Sequence, residues 1–340
     1  MTAMEEATLY YLLSFPDLVQ AATAPAEKIT GLKDAPYFQP VDISVQTLPG
    51  MELQAESVNV AVARQRYDER IQTVECRYAI PDPLSLAGIQ ERDRIQNRLK
   101  IQLIPQEFRD SGLYEEYVIL CLARVDRTPD EFIEQNAGLL ARFIRSQRET
   151  LDLAEIQEIL VSRVRYSQED LTIVDWEAAV IIAPQGDYQS DVELLKVGNY
   201  QLLRYRILDK SIEDILRSIN QEFVQGKGAR FKPTRSSLRR IVAHRLEIVL
   251  DFEHTDQNLL LIGDWYTAKL FASIRNEFYL DEWKSAVRSK LDNLESIVHN
   301  IQENFSLTLS GLMENVQLVG WILLLIGYFV LFFLDAGLVK

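Results

Sequence analysis

Apolar residues recur at every second position over three stretches: Val41, Ile43 and Val45; Val58, Val60 and Val62; and Val74, Cys76, Tyr78 and Ile80. A period of two places each set on one face of a β-strand, the pattern of a sheet covered on one side. Ile101 and Leu103 extend the alternation weakly. Ahead of these strands, Thr8 to Phe15 is a short apolar segment stopped at Pro16, and Pro25, Gly31, Pro36 and Pro40 punctuate the connection that follows. Prolines at that density exclude long regular structure. The run Tyr117 to Val125 is apolar on both faces and reads as a central strand.

The period then lengthens. Thr128 as cap, Pro129 in the first helical position and Glu131 closing a capping box predict a helix with Phe132, Leu139, Leu140, Phe143 and Ile144 on its buried side. Leu153 to Val164 carries Ile156, Leu160 and Val164 at helical spacing, and Leu171 to Ala183 holds one or two further strands around Asp175 and Trp176. Strands first and helices later favour an α+β domain over regular βαβ winding. From about Gln185 the pattern is sustained helix. Ser190 and Glu193 suggest a second capping box for a helix reaching about Phe223, with Gly198 inside it, and helical stretches follow near Ser236 to Phe252, Asp256 to Phe278 and from Asp281 onward.

The last helix carries Val287, Leu291, Leu294, Val298, Ile301, Phe305 and Leu312 at alternating steps of four and three, a heptad seam broken only at Thr308. Such a seam fits an oligomer, or an intramolecular hairpin that satisfies the same positions. Beyond it, Val316 to Leu334 is a run of nineteen residues without a charge. As a helix that run is about 28 Å long, close to the hydrocarbon thickness of a bilayer, and it predicts a transmembrane helix. Gln317, Gly320 and Gly327 are the candidates for helix packing within the span, since small residues let helix backbones approach. The start of the chain shows no export signal. Together these features predict a tail-anchored, single-pass membrane protein with its large domain in the cytoplasm or on the equivalent organelle side. No Lys or Arg lies between Lys290 and the span, so the charge rule for orientation is silent.

Composition changes this picture little. The 340 residues are 47% hydrophobic and 25% charged, enough for one large core or two modest ones and unlike a disordered chain. The net charge of −14 argues against wholesale binding to nucleic acid or anionic lipid, so any such contact must be regional. One region qualifies: Lys227, Arg230, Lys232, Arg235, Arg239, Arg240 and Arg245 occur with no acid between Glu222 and Glu247. A loop feeding a basic helix start in this way suits the phosphates of anionic lipid head groups or of RNA, or else internal pairing with the acidic remainder.

Motifs that fix reactive groups at a required spacing are missing: there is no Walker loop, dinucleotide fingerprint, HExxH or GxSxG. His244 and His254 are ten residues apart, not the three or four that set two ligands on one helical face, and His299 stands alone. Cys76 and Cys121 lie in strand-like sequence without metal or redox spacing and read as buried thiols. Glu115 and Glu116 read as ordinary solvated charges. The chain is therefore expected to hold no cofactor or metal and not to be an enzyme.

The stretches Leu171 to Ile182, Leu194 to Leu208, and YLDEWKSAVRSKLDNLESIVHNIQENFS from Tyr279 to Ser306 resemble, in pattern, the family of the required for meiotic nuclear division proteins. The resemblance implies a strand segment, a helical hairpin and a heptad helix leading into a C-terminal membrane span. It also implies a membrane-held scaffold, associated with protein synthesis in mitochondrial members.

The sequence thus predicts an α+β head over residues 1–185, a helical stalk over 186–315, a membrane helix over 316–334 and a short tail over 335–340. The expected function is a non-enzymatic scaffold or tether that presents the head to partners at a bilayer and self-associates through the heptad helix. The alternative is a subunit of a homo-oligomeric transport or channel assembly.

Overall fold

A computed structural model describes residues 7–17, 27–29, 41–125, 127–221, 235–257 and 265–335. Its strands are β1 (Ala7–Pro16), β2 (Glu27–Ile29), β3 (Val41–Ala55), β4 (Val58–Tyr67), β5 (Ile71–Tyr78), β6 (Glu115–Leu122), β7 (Arg163–Val164), β8 (Leu171–Val174) and β9 (Ala178–Ile182). They form one mixed sheet in the order β2-β3-β4-β5-β1-β6-β9-β8-β7. Only the β6–β9 pair is parallel, with Val118 opposite Ala178, while the remaining neighbours are antiparallel. The α+β class holds. The short apolar segment at the start of the chain is a ten-residue strand near the middle of the sheet, between β5 and β6. As its two-sided apolarity predicts, β6 lies inside the sheet, buried on both faces.

Eight helices are described: α1 (Leu86–Leu103), α2 (Gln106–Ser111), α3 (Pro129–Ile144), α4 (Leu153–Ile159), α5 (Gln189–Ile219), α6 (Arg235–Gln257), α7 (Trp265–Glu277) and α8 (Leu280–Asp335). Where Ile101 and Leu103 suggested a strand, the chain is helical. Ser85 caps α1 by accepting from the Gly88 N–H, and Ile89, Arg92, Ile95 and Leu99 line its buried side at spacings of three and four. Gly88 is needed there because a Cβ would stand 2.3 Å from the Asp82 carbonyl oxygen. The Thr128–Glu131 capping box is present, with both bonds at 3.4 Å. The expected second box is not a cap, because α5 starts at Gln189 and Ser190 already lies within it. The stretch from Leu153 is helical only to Ile159, and Val164 belongs to β7.

The chain divides into two compact units. The first comprises residues 1–209 and 251–287, the second 210–250 and 288–340. In the first, alternation along the strands sends Leu9, Tyr11 and Leu13, Val74, Cys76 and Tyr78, and Leu120 and Leu122 into a core shared with Ile89, Ile95 and Leu99 of α1 and Ile133, Leu140 and Phe143 of α3. The other face meets α5 and α7. Tyr10 lies edge-on to Tyr188 just before α5, the Thr172 hydroxyl donates to Asp191 at 2.6 Å, and Tyr117 packs on Phe278. The sheet is thus covered on both sides, and the compact unit continues past residue 185, where the sequence suggested that the head ends.

In the second unit the later part of α5, most of α6 and α8 pack on one another. Lys290 pairs with Glu213 at 2.9 Å, and Arg245 with Glu295 at 2.7 Å. Leu291, Leu294 and Val298 of the heptad seam are buried there within a single chain, and Val287 is buried in the first unit. The side chains of Ile301, Phe305 and Leu312 lie outside the described residues.

The expected transmembrane helix is corrected by the structure. Among the described residues, no helix is long and apolar enough to cross a membrane. The part of the apolar run whose side chains are described extends from Val316 to Phe332. With the span go the tail-anchored topology, the single-pass localisation, the membrane-held scaffold and the channel subunit. Among the described residues, a Cβ added at Gly320 or Gly327 would meet nothing within 4 Å, and Gln317 is exposed.

Candidate functional site

The first unit contains a cleft of about 630 Å³ at the end of the sheet where β6 begins. Several parts of the chain build it. Helix α1 contributes the buried Arg92 and, from its polar side, Asp93, Gln96, Asn97 and Lys100, and the turn after α3 contributes Ser146 and Arg148. Gly112, residues 114–118 and Tyr11 form the floor, Trp176 to Ala178 turn from β8 into β9, and Asn199, Leu202 and Arg206 come from α5. The α1 residues share a side because Asp93, Gln96, Asn97 and Lys100 are three or four positions apart.

Three ion pairs hold the wall. Arg92, 1% exposed, donates to Asp93 at 3.0 Å and to the Phe143 carbonyl at 2.8 Å, bonds the Ser146 hydroxyl, and lies 4.5 Å above the Phe143 ring. Ser146 in turn donates to Asp93 at 3.1 Å from a backbone with φ of 52°. Lys100 pairs with Glu116 at 2.8 Å, and the Tyr11 hydroxyl donates to the other oxygen of that carboxylate. Arg206 pairs with Glu115 and donates to the carbonyls of Gly112 at 2.7 Å and Tyr114 at 3.0 Å, which ties α5 to the start of β6. Burial holds the Glu115 carboxyl above the usual carboxylate range, although Arg206 pulls it back.

The β8–β9 turn is the acidic edge of the cleft. Behind it, the Asp175 carboxylate is buried, pairs with Arg145 at 3.2 Å through one oxygen and has no partner on the other. Its backbone carbonyl accepts from the Tyr117 hydroxyl at 2.8 Å. Burial raises the pKa of Asp175 and of Glu177, against the nearby Arg145. Trp176 packs against Phe278 and Tyr279 and keeps 39% of its surface exposed beside the cleft.

Little of this site was among the residues singled out in the sequence. Lys227, Arg230 and Lys232 lie outside the described residues. Arg235 and Arg240 stand on α6 with side chains outside the description, Arg239 is exposed on the same helix, and Arg245 is engaged with Glu295. His299 approaches Glu303 at 3.7 Å, and among the described residues no group of His, Cys, Asp and Glu is arranged to hold a metal ion. Both cysteines are buried and free, and burial pushes the Cys76 thiol up to about 12. Glu115 and Glu116, read from sequence as solvated charges, are paired residues of the cleft. The only local signal for the site was the polar stripe on α1, and it becomes visible once that segment is known to be helical.

Among known proteins, the chain is 25% identical over 224 residues to the uncharacterized protein MJ0711 of Methanocaldococcus jannaschii, an alignment covering 65% of this chain and 69% of the relative. No solved structure matches. A family model described as the N-terminal domain of the uncharacterized protein MJ0711 matches residues 17–189, a segment that holds most of the sheet, α1 to α4 and most of the cleft wall. Because that match takes in just over half of the 340 residues, the chain belongs to the family of the MJ0711 N-terminal domain.

Proposed function

We propose that this protein is a binding protein for a small polar molecule, which its first unit holds in the cleft between α1, the start of β6, the β8–β9 turn and α5. The observation that carries the reading is the preorganisation of that cleft. Its volume of about 630 Å³ suits a metabolite-sized ligand, and three of its charged pairs are already fixed by hydrogen bonds to the backbone or to one another. Side chains held in this way lose little freedom when a ligand arrives, which favours affinity. Because these groups are engaged mainly with one another, the arrangement suits holding a ligand more than reacting with one.

A thermal-shift screen of the full-length chain against a library of polar metabolites tests this. The expected result is a rise in melting temperature from at least one chemical class, lost in Asn97→Leu and in Lys100→Ala, both of which alter the cleft wall without touching the core. A library that gives no shift, or shifts retained in both variants, would overturn the reading.

A further inference from the structure

The charges lining the cleft balance in a particular way. Four cations, Arg92, Lys100, Arg148 and Arg206, face four carboxylates, Asp93, Glu115, Glu116 and Glu177. Three of each are taken up by the pairs Arg92–Asp93, Lys100–Glu116 and Arg206–Glu115. Arg148 and Glu177 remain. Among the described residues neither side chain lies within ion-pair distance of an opposite charge, although Arg145 and Arg92 act on Glu177 from further away. They come from different elements, Arg148 from the turn after α3 and Glu177 from the β8–β9 turn, and meet only as lining of one cavity.

A charge left out of the paired wall is free to meet a ligand, and a ligand group of opposite sign gives it a charge-assisted hydrogen bond. One unpaired charge of each sign therefore calls for a ligand that carries both. A ligand with only an anionic group would satisfy Arg148 and bring a like charge towards Glu177. A ligand with only a cationic group would do the reverse. Asn97 and the spare donors of Lys100, which uses one of its three on Glu116, offer neutral and cationic hydrogen bonds between the two ends.

We infer that the cleft takes a zwitterionic small molecule of the free amino-acid type, with its carboxylate on Arg148 and its ammonium on Glu177. This rests on the cleft being a ligand site, and the test separates the two claims. Isothermal titration of the full-length chain is run with a panel of free L-amino acids, with their N-acetyl derivatives, which lack the ammonium, and with their carboxamides, which lack the carboxylate. The expected result is binding by at least one free amino acid, weakened at least tenfold by either modification. Arg148→Ala is expected to abolish the preference for the free acid over the carboxamide, and Glu177→Gln the preference for the free amine over the N-acetyl form. Both side chains are exposed, so the variants are expected to melt with the parent chain.

Equal binding of N-acetylated and free forms would overturn the assignment and leave the cleft as a site for anions. The same holds if inorganic phosphate or acetate competes as well as any amino acid. If no amino acid binds while another metabolite from the thermal-shift screen does, the zwitterion assignment falls and the ligand site stands.

Discussion

The ammonium of Lys196 on α5 lies 2.9 Å from the carboxylate of Glu75 on β5, with only 2% of the lysine side chain exposed. Glu193 at 2.5 Å and the Gln65 amide oxygen at 3.1 Å take up its other donors, so a charge that burial alone would neutralise is fully bonded. Burial works to lower its pKa, and the neighbouring Tyr67, Glu193 and Glu75 outweigh it, which leaves the group above the usual lysine range. Removing one partner strands the others. Lys196→Met is expected to destabilise the first unit by about 3–5 kcal/mol in chemical denaturation. A lysine pKa that is higher in the folded than in the unfolded chain contributes stability that is present below the unfolded value and is lost only as pH rises through the folded one. The difference between Lys196→Met and the parent is therefore expected to stay constant from about pH 6 to pH 9.

Gly198 sets the distance between α5 and α7. A Cβ there would stand 2.5 Å from Ile274 Cγ2 and 3.2 Å from the Phe278 ring, both of which are buried. Gly198→Ala gains about 1 kcal/mol of helix propensity but loses more to overpacking, since Ile274 Cγ2 is fixed close to its own backbone. The expected outcome is a net loss of about 1–2 kcal/mol, read as a lower melting temperature. An unchanged or raised value would mean that the two helices separate without cost.

Asp175 gives the first unit an acid-side dependence of definite sign. Burial raises its pKa, so its contribution is complete below the unfolded value and fades as pH rises through the folded one. In Asp175→Asn that titration is absent. The melting temperature of the variant minus that of the parent is expected to increase from about pH 3 to about pH 7, and a difference that stays flat or falls would contradict the burial argument.

Leu294 tests where the heptad seam is used. It is fully buried within the second unit, so Leu294→Ala is expected to cost about 2–5 kcal/mol through the lost methyl groups and the cavity left behind. The molar mass of the chain in solution is expected to be unchanged, because Leu291, Leu294 and Val298 are already buried inside one copy. Light scattering alongside thermal unfolding measures both, and a fall in mass would place the seam between copies instead.

Local patterns in the chain determined the strands and the punctuated helices. Alternation over 41–80 became β3, β4 and β5, the two-sided run from Tyr117 became the interior strand β6, and the Thr128–Glu131 box became the start of α3. These features are legible because strand period and helix capping involve neighbours within a few residues. The polar helix α1 was not legible as a helix, since only three apolar side chains and one buried arginine mark its inner side and the burial that reveals them is tertiary. The apolar run from Val316 was legible as apolar, yet among the described residues it does not make a membrane-crossing helix.

The cleft was decided by tertiary structure alone. Its charges come from α1, the turn after α3, the start of β6, the β8–β9 turn and α5, and nothing in the order of the chain shows that Arg206 will pair with Glu115 or Lys100 with Glu116. The sequence determined how many carboxylates and cations were available. Which of them neutralise one another, and which two are left facing the cavity, depends on contacts between distant segments, since Coulomb energy follows distance in space and not separation along the chain.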